Sequence, residues 1–506
     1  MAGPRYPALY QINTRIWLQE LGASLGRSAT LEHIPDASLD AIAADGFDWV
    51  WLLGVWQTGE AGRQVSLRQP EWQPEYHELL PDFTPDDVRG SPFAIRDYVV
   101  NREFGGPRAL EWLRKRLADR GVKLMLDFVP NHTALDHPWV RDHPEFYVHG
   151  TDADLAREAA NYVRVDTPKG SRVLAHGRDP YFPGWPDTLQ VNYRHAGFRE
   201  AMHGVLDSIA AQCDGVRCDM AMLVLPDVIQ RTWGERARPA DGSAPVDDPF
   251  WPAALTRVRR RRPGFVFMAE AYWDREWDLQ HQGFDFTYDK VLYDRLQNGD
   301  AAGVRAHLVA DPAFRDRGAR FLENHDEPRA AAAFGVPEGF GPGLVTSLAP
   351  GLRLLHEGQL EGRRIRLPVQ LGRRPEEPVD ETVRAFYARL LAVLRDPTLH
   401  DGRFLPLDVW PSAEGERTHE GLVAFAWRED GPDGSPCLVV IVNLRPEPAW
   451  ARVPLGLAGF EPGRTYRLLD RLDGATYRRT GDEVCGPGLF VALRSRQSHL
   501  FTVETD

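Results

Sequence analysis

Three carboxyl residues far apart in the chain, Asp219, Glu270 and Asp326, stand at or just beyond the ends of short apolar runs, in GVRCD, FVFMAE and ARFLENHD. A lone acidic residue in such a place ordinarily caps the helix that follows. Three together, with Arg217 two residues before one and His325 beside another, read instead as a reactive set. Carboxyl pairs facing one cleft suit glycoside hydrolysis: one carboxylate attacks the anomeric carbon, and the other, kept protonated, donates to the leaving oxygen. An arginine beside the attacking carboxylate holds it ionised, because an opposite charge a few ångströms away depresses a carboxyl pKa. The proton donor needs the reverse, and Glu270 lies among Phe265, Phe267, Met268, Tyr272 and Trp273, an apolar setting that raises its pKa. Asp127, Asn131 and His132 cluster at the end of another run, and Glu323 and Asn324 precede His325. Reading His132, His325 and Asp127 as a metal-hydrolase centre fits no ligand spacing.

Residues so scattered need a fold that gathers strand ends. Eight short apolar runs recur: 8–17, 49–53, 123–129, 215–219, 265–270, 284–288, 319–323 and 352–357. Between them lie segments of helical period such as Pro107 to Arg120 and Phe198 to Gln212. Near-continuous apolar runs are the mark of buried parallel strands, and eight βα units predict an α/β fold, a (β/α)₈ TIM barrel whose strand ends share one mouth. No GxGxxG follows the first run to favour an open doubly wound sheet. A long polar segment, 133–190, reads as a small inserted domain after strand 3, splitting the barrel into 1–132 and 191–396. A second insertion, Arg236 to Pro252, is expected to line the same rim. From 402 to 506 the strand-like runs LVAFAW, CLVVIVNL, RTYRLLD, LFVAL and HLFTVE, separated by Gly, Pro and Asp, predict a C-terminal antiparallel β-sandwich.

Composition narrows the partners. The 506 residues carry 60 basic and 73 acidic side chains, a net charge of −13, with lysine only at 115, 123, 169 and 290. This disfavours nucleic acid. Four cysteines without metal spacing suit a reducing compartment, and neither a signal peptide nor a membrane span is legible, so a soluble, cytoplasmic protein without membrane partner is expected. The 15 Trp, 14 Tyr and 23 Phe exceed what core packing demands, and such a surplus often lines carbohydrate clefts.

The segments LDFVPNH, GVRCD, FMAEAYW and FLENHDEPR resemble, in order and spacing, the four short motifs of the α-amylase family of retaining glycosidases and transglycosylases; YQI and TLQVNY are similar too. The resemblance runs through barrel, insertion and C-terminal domain. It implies that Asp219 is the nucleophile, Glu270 the general acid/base and Asp326 the residue that binds sugar hydroxyls and stabilises the transition state. It places Arg217, His132, His325 and Phe93 around the substrate, Phe93 standing where the family usually has a stacking tyrosine. Asp127 joins this set chiefly by holding it together, and Arg329 resembles an arginine of members that act on chain ends or short substrates. Asn131, Gln190 and Asn192 are supporting residues.

Three departures matter. DMAML lacks the Lys-His pair that follows the nucleophile in secreted α-amylases, which speaks against endo-acting starch hydrolysis and a calcium site. Asp152, Asp154 and Asp166 are the insertion's calcium-ligand types, but acidic loop residues are ordinarily just solvated, so neither metal nor cofactor is expected. Val191 interrupts the usual QPDLN pattern, and Met220 matches neither residue type that sets linkage in related glucosidases. The expected activity is a retaining α-glycosidase working by double displacement on short oligosaccharides or α-glucans. A transglycosylase or sugar phosphorylase on the same scaffold is the alternative, and a non-catalytic carbohydrate-binding protein the remote one. Linkage and oligomeric state stay open.

Overall fold

The computed structural model describes residues 4–168, 170–431 and 435–505. Eight parallel strands close into a barrel: β1 (Ala8–Asn13), β2 (Trp49–Leu53), β3 (Lys123–Phe128), β4 (Gly215–Cys218), β5 (Val266–Ala269), β6 (Phe286–Tyr288), β7 (Gly318–Arg320) and β8 (Leu352–His356). Each pairs with its sequence neighbour, and β1 closes the ring against β8. The continuous apolar character of these runs is explained by burial on both faces. Leu9, Trp49, Trp51, Met125, Met268 and Leu354 fill the interior, while Val50, Leu52, Leu124, Val216 and Phe267 pack outward under the helices.

Seven of the eight expected runs are shorter as strands, four of them by only a single residue at one or both ends. The first stops at Asn13, whose side chain accepts a hydrogen bond from the Ile16 amide at 3.3 Å and so starts the helix Thr14–Leu25, which Gly26 ends at φ 65°. The sixth pairs only from Phe286, and the seventh leaves the ladder after Arg320.

Three excursions build the barrel's upper rim. After β3, His132–Ala134 pairs with Thr188–Gln190, and Tyr162–Thr167 pairs with Gly170–Ala175. A second excursion, between β2 and the helix Gly106–Ala118, holds the helices Glu60–Arg68 and Gln73–Leu79 and a small sheet of Trp56–Thr58 with Ile95–Val100. The third follows β8 and carries Val369 and Gln370. The segment Arg236 to Pro252, expected on the rim, contributes no residue to the cleft. It packs aside, with Arg236 on Asp154 at 2.6 Å and Asp241 on His195 at 3.1 Å.

The C-terminal part has a six-stranded and a three-stranded antiparallel sheet. The five expected runs form β11 (Leu422–Arg428), β12 (Pro436–Asn443), β14 (Thr465–Asp470), β16 (Leu489–Leu493) and β17 (Ser498–Thr505). Four further strands complete the sheets: β9 (Arg403–Leu407), β10 (Trp410–Pro411), β13 (Ala449–Val453) and β15 (Thr476–Thr480). Of these, β10 and β15 escape pattern reading because β10 has two residues and TYRRT of β15 has no buried residue. In β11, Val423, Phe425 and Trp427 join the large core shared with the barrel, whereas Leu422, Ala424 and Ala426 face the other sheet. Trp427 anchors the junction by donating to the Leu348 carbonyl at 2.7 Å.

Candidate active site

The ladder carries the reactive residues to one place. Arg217 lies opposite Asp127 on β3 and Met268 on β5, so the chain leaving β4 and the chain leaving β5 emerge side by side. Asp219 donates its amide to the Phe128 carbonyl at 2.8 Å, and Glu270 donates its amide to the Cys218 carbonyl at 3.0 Å. Beyond each strand the backbone turns into the left-handed region at residues that are not glycine, Met220 (φ 42°), Trp273 (φ 61°) and Asp274 (φ 58°). Such conformations are costly for side-chain-bearing residues and concentrate at functional sites. At Met220 the turn aims the amide at the Glu270 Oε2, 2.6 Å away.

Arg217 is fully buried and joins the two carboxyls. Its Nη1 donates to Asp219 Oδ1 at 2.5 Å, and its Nη2 lies 2.7 Å from Glu270 Oε2. The rings of Trp51, Phe93 and Tyr288 surround it with centroids 5.3 to 5.6 Å from the guanidinium carbon. Burial opposes its charge, but the surrounding Glu270, Asp219 and Asp127 carboxylates outweigh burial and hold its pKa well above the ordinary value. For Glu270 burial dominates. Together with Asp219 and Asp326 it outweighs Arg217 and pushes the carboxyl up to about 7. Tyr272 donates to Glu270 Oε1 at 3.1 Å.

Asp326 has a half-exposed side chain open to the cleft. Burial alone would raise its pKa, yet the His325 imidazole, whose Nε2 is 3.0 Å from Asp326 Oδ2, reverses this with help from Arg217 and holds the carboxyl at about 2. His325 is itself fixed by Gln11, which donates to Nδ1 at 2.7 Å, so YQI serves the site from β1. Phe93 tilts over His325 at 5.2 Å, and His132 packs against Trp185 at 5.2 Å. Asp219, Glu270, Asp326, Phe93 and His132 line one cavity of about 320 Å³.

A profile of the alpha-amylase catalytic domain matches residues 79–340, slightly over half of the chain. The chain belongs to the alpha-amylase family. Among curated relatives, alpha-amylase MalA of Haloarcula japonica is 27% identical over 434 residues, covering 83% of this chain and 53% of that protein. Trehalose synthase/amylase TreS of Mycolicibacterium smegmatis is 26% identical over 281 residues, 49% of this chain and 44% of the relative. The chain thus spans about half the length of these curated relatives. A maltogenic alpha-amylase from Thermotoga neapolitana, AmyB, superposes with a TM-score of 0.69 at 18% identity over 98% of both chains, a likeness of fold.

Arg329, expected around the substrate, stands elsewhere in this family member, and Asp127 braces the site from the barrel wall. Arg329 is buried behind the cleft, its Nη1 donating to Glu323 Oε1 at 2.7 Å, His356 Nδ1 at 2.9 Å and the Glu357 carbonyl at 2.7 Å. The turn after β7 directs its side chain inward, because Glu323 needs a buried counter-charge. Asp127 lies in the barrel wall, 1% exposed, accepting from Trp51 Nε1 at 3.0 Å and the Gly54 amide at 2.7 Å. It has no free oxygen for a sugar and ties β2 to β3. Gln190 donates to the Asn131 carbonyl and side-chain oxygen at 2.9 and 3.0 Å, holding the turn that presents His132. Asn192 donates to the Ala237 carbonyl at 3.0 Å.

Cleft residues not anticipated from sequence are Trp72, Ser91, Asp187, Thr188, Val369 and Gln370. Trp185 and Asp187 lie in the Pro- and Gly-rich stretch AHGRDPYFPGWPD, whose length was the available signal; Trp72 and Gln370 carried none. The insertion's acidic residues do not fit a calcium site. Asp152 pairs with Arg164, Asp154 accepts from Thr151 and pairs with Arg157 and Arg236, and Asp166 lies exposed on a hairpin strand. Among the described residues no three His, Cys, Asp or Glu side chains are grouped to hold a metal.

Proposed function

We propose that this chain is a retaining α-glycosidase of short α-glucosidic substrates, with Asp219 as nucleophile and Glu270 as acid/base. The observation that carries this is Arg217 touching both carboxyls within one cavity. Two carboxyls held by a single guanidinium lie near each other, which supports the closely spaced pair of a retaining enzyme over the wider pair of an inverting one. In the first step an Asp219 oxygen bonds to the anomeric carbon as the glycosidic C–O bond breaks, and the Glu270 proton passes to the leaving oxygen. In the second, Glu270 as carboxylate takes a proton from water, whose oxygen displaces Asp219 from the anomeric carbon. A Glu270 pKa of about 7 lets one group serve as acid and then base near neutral pH. Asp326, ionised and open to the cleft, accepts hydrogen bonds from sugar hydroxyls and faces the positive charge that develops on the ring.

Transfer to a sugar acceptor is the second reading, favoured by the likeness to a protein named trehalose synthase/amylase; it changes only what resolves the glycosyl-enzyme. Neither metal nor cofactor enters the mechanism. The four cysteines are all free thiols, which supports a cytoplasmic setting, and among the described residues no helix is long and apolar enough to cross a membrane. The test is a panel of maltose, isomaltose, sucrose, trehalose and maltooligosaccharides, with and without phosphate, followed by chromatography and by NMR of the first-formed anomer. A β-anomer appearing first from an α-linked substrate would refute double displacement.

A further inference from the structure

The mechanism leaves one carboxyl of the cleft unused. Asp187 lines the same cavity as Asp219, Glu270 and Asp326, between Trp185 and Thr188 at the mouth of the post-β3 insertion. It is only 4% exposed. Its Cβ lies against Gly62 of the helix Glu60–Arg68, where the post-β2 excursion meets the insertion. Among the described residues no cation pairs with it, and its carboxyl receives no hydrogen bond from any other residue, only one from its own amide. Burial without a counter-charge pushes its pKa up to about 6.

Among the described residues Glu276, which lines a separate cavity, is likewise buried with only its own amide as partner, but the other acids that line or brace the active-site cleft are held. Asp127 is held by Trp51 and Gly54, Glu323 by Arg329 and Ala330, and Asp219 and Glu270 by Arg217. Buried polar groups in folded proteins are hydrogen-bonded, and one left without a protein partner on the wall of a ligand cavity is available to accept from a ligand. The ligand group must donate hydrogen bonds. It also lies among aromatic rings, since Trp72, Phe93 and Trp185 line the same cavity. Aromatic faces with a hydrogen-bond acceptor at their edge suit a pyranose ring, which offers C–H bonds to the rings and hydroxyls to the acceptor. At about 320 Å³ the cavity is at the small end of ligand sites, and three separate excursions wall it.

We propose that Asp187 is a substrate-contacting specificity residue whose carboxyl accepts hydrogen bonds from ring hydroxyls of the bound glucoside, selecting short substrates that present those hydroxyls. This rests on the α-glucosidase reading above and names the contact that reading leaves open. A site built to receive a hydroxyl discriminates against the analogue lacking it, because the buried acceptor is then left unpaired.

The test uses p-nitrophenyl α-D-glucopyranoside and its 3-, 4- and 6-deoxy counterparts with the full-length chain and with Asp187→Asn and Asp187→Ser; thermal melts establish that each variant is folded. The wild type should lose on the order of 10- to 100-fold in kcat/KM on at least one deoxy analogue. Asp187→Ser should show little further loss on that analogue while keeping the wild-type response to the others. Asp187→Asn should fall between the two, since its carbonyl can still accept one hydrogen bond. Equal deoxy penalties in wild type and Asp187→Ser would overturn the assignment while leaving the α-glucosidase reading intact. If wild-type protein neither turns over nor binds any glucoside by calorimetry, both fall.

Discussion

Replacing Asp187 by Asn should raise stability relative to wild type as pH goes from acid to neutral, even though it impairs the site. The carboxyl has a pKa of about 6 in the folded chain, against the ordinary Asp value of 3.8. Below pH 3.8 both folded and unfolded chains hold the proton, and Asp187 favours neither. Between pH 3.8 and 6 the unfolded chain releases its proton while the folded chain keeps it, so stability is lost as pH rises. Above pH 6 the loss is complete. A displacement of about 2 pKa units at about 1.4 kcal/mol each gives a penalty of about 3 kcal/mol at pH 7.5, an upper bound where water reaches the carboxyl. Asn carries no such penalty at any pH, though its amide brings a pH-independent cost of its own. The measurement is therefore a difference of differences. Urea unfolding of wild type and Asp187→Asn is compared at pH 4 and pH 7.5, and the variant should gain about 2 to 3 kcal/mol relative to wild type over that interval. A gap independent of pH, or one that closes as pH rises, would refute the unpaired, buried carboxyl and remove the ground for its contact with substrate.

Glu270→Gln removes the acid/base and should lower kcat on substrates with poor leaving groups by about 10²- to 10⁴-fold. In the wild type the rate should fall as pH rises past about 7, because the donor must be protonated; steady-state profiles should show this limb vanish in the variant. Arg329→Ala strands the buried Glu323 carboxylate and should destabilise the chain by about 3 to 5 kcal/mol in denaturant titrations, with KM of the folded protein unchanged. A raised KM would restore Arg329 to the substrate site. Because Asp152 and Asp154 are engaged by different arginines and Asp166 lies exposed on a strand, excess chelator should leave both melting temperature and activity where they were; a drop of several degrees would show a calcium site.

How far the site could be read in advance depended on where each residue lies relative to the strands. Asp219, Glu270 and Arg217 belong to apolar runs long enough to mark a strand, so their convergence follows from barrel topology. His325 and Phe93 lie beside the trio as their motifs suggest. Arg329 shows the limit: NHDEPR is compatible with an arginine pointing into the cleft or away from it, and the turn after β7 sends it to Glu323. The segment Arg236 to Pro252 has the composition of a rim loop but is held aside by Asp154 and His195. Trp72 and Gln370 come from loops with no periodicity, and nothing local distinguishes them from solvated neighbours; Asp187 is marked only by the length of the insertion that carries it.

The amino-acid sequence by itself determined the eight-stranded barrel, the order of its units and the identity of the three central carboxyls. These rest on hydrophobic runs whose burial on two faces is dictated by composition, and on residues immediately after them. Tertiary structure alone decided which charges are paired and which face the cavity. Arg217 binds two carboxyls, Arg329 turns away, and Asp187 is buried without a partner, because pairing depends on loops from distant parts of the chain meeting within a few ångströms. The strand pattern fixes where the chain arrives at the rim, but the packing of one excursion on another sets what each side chain touches.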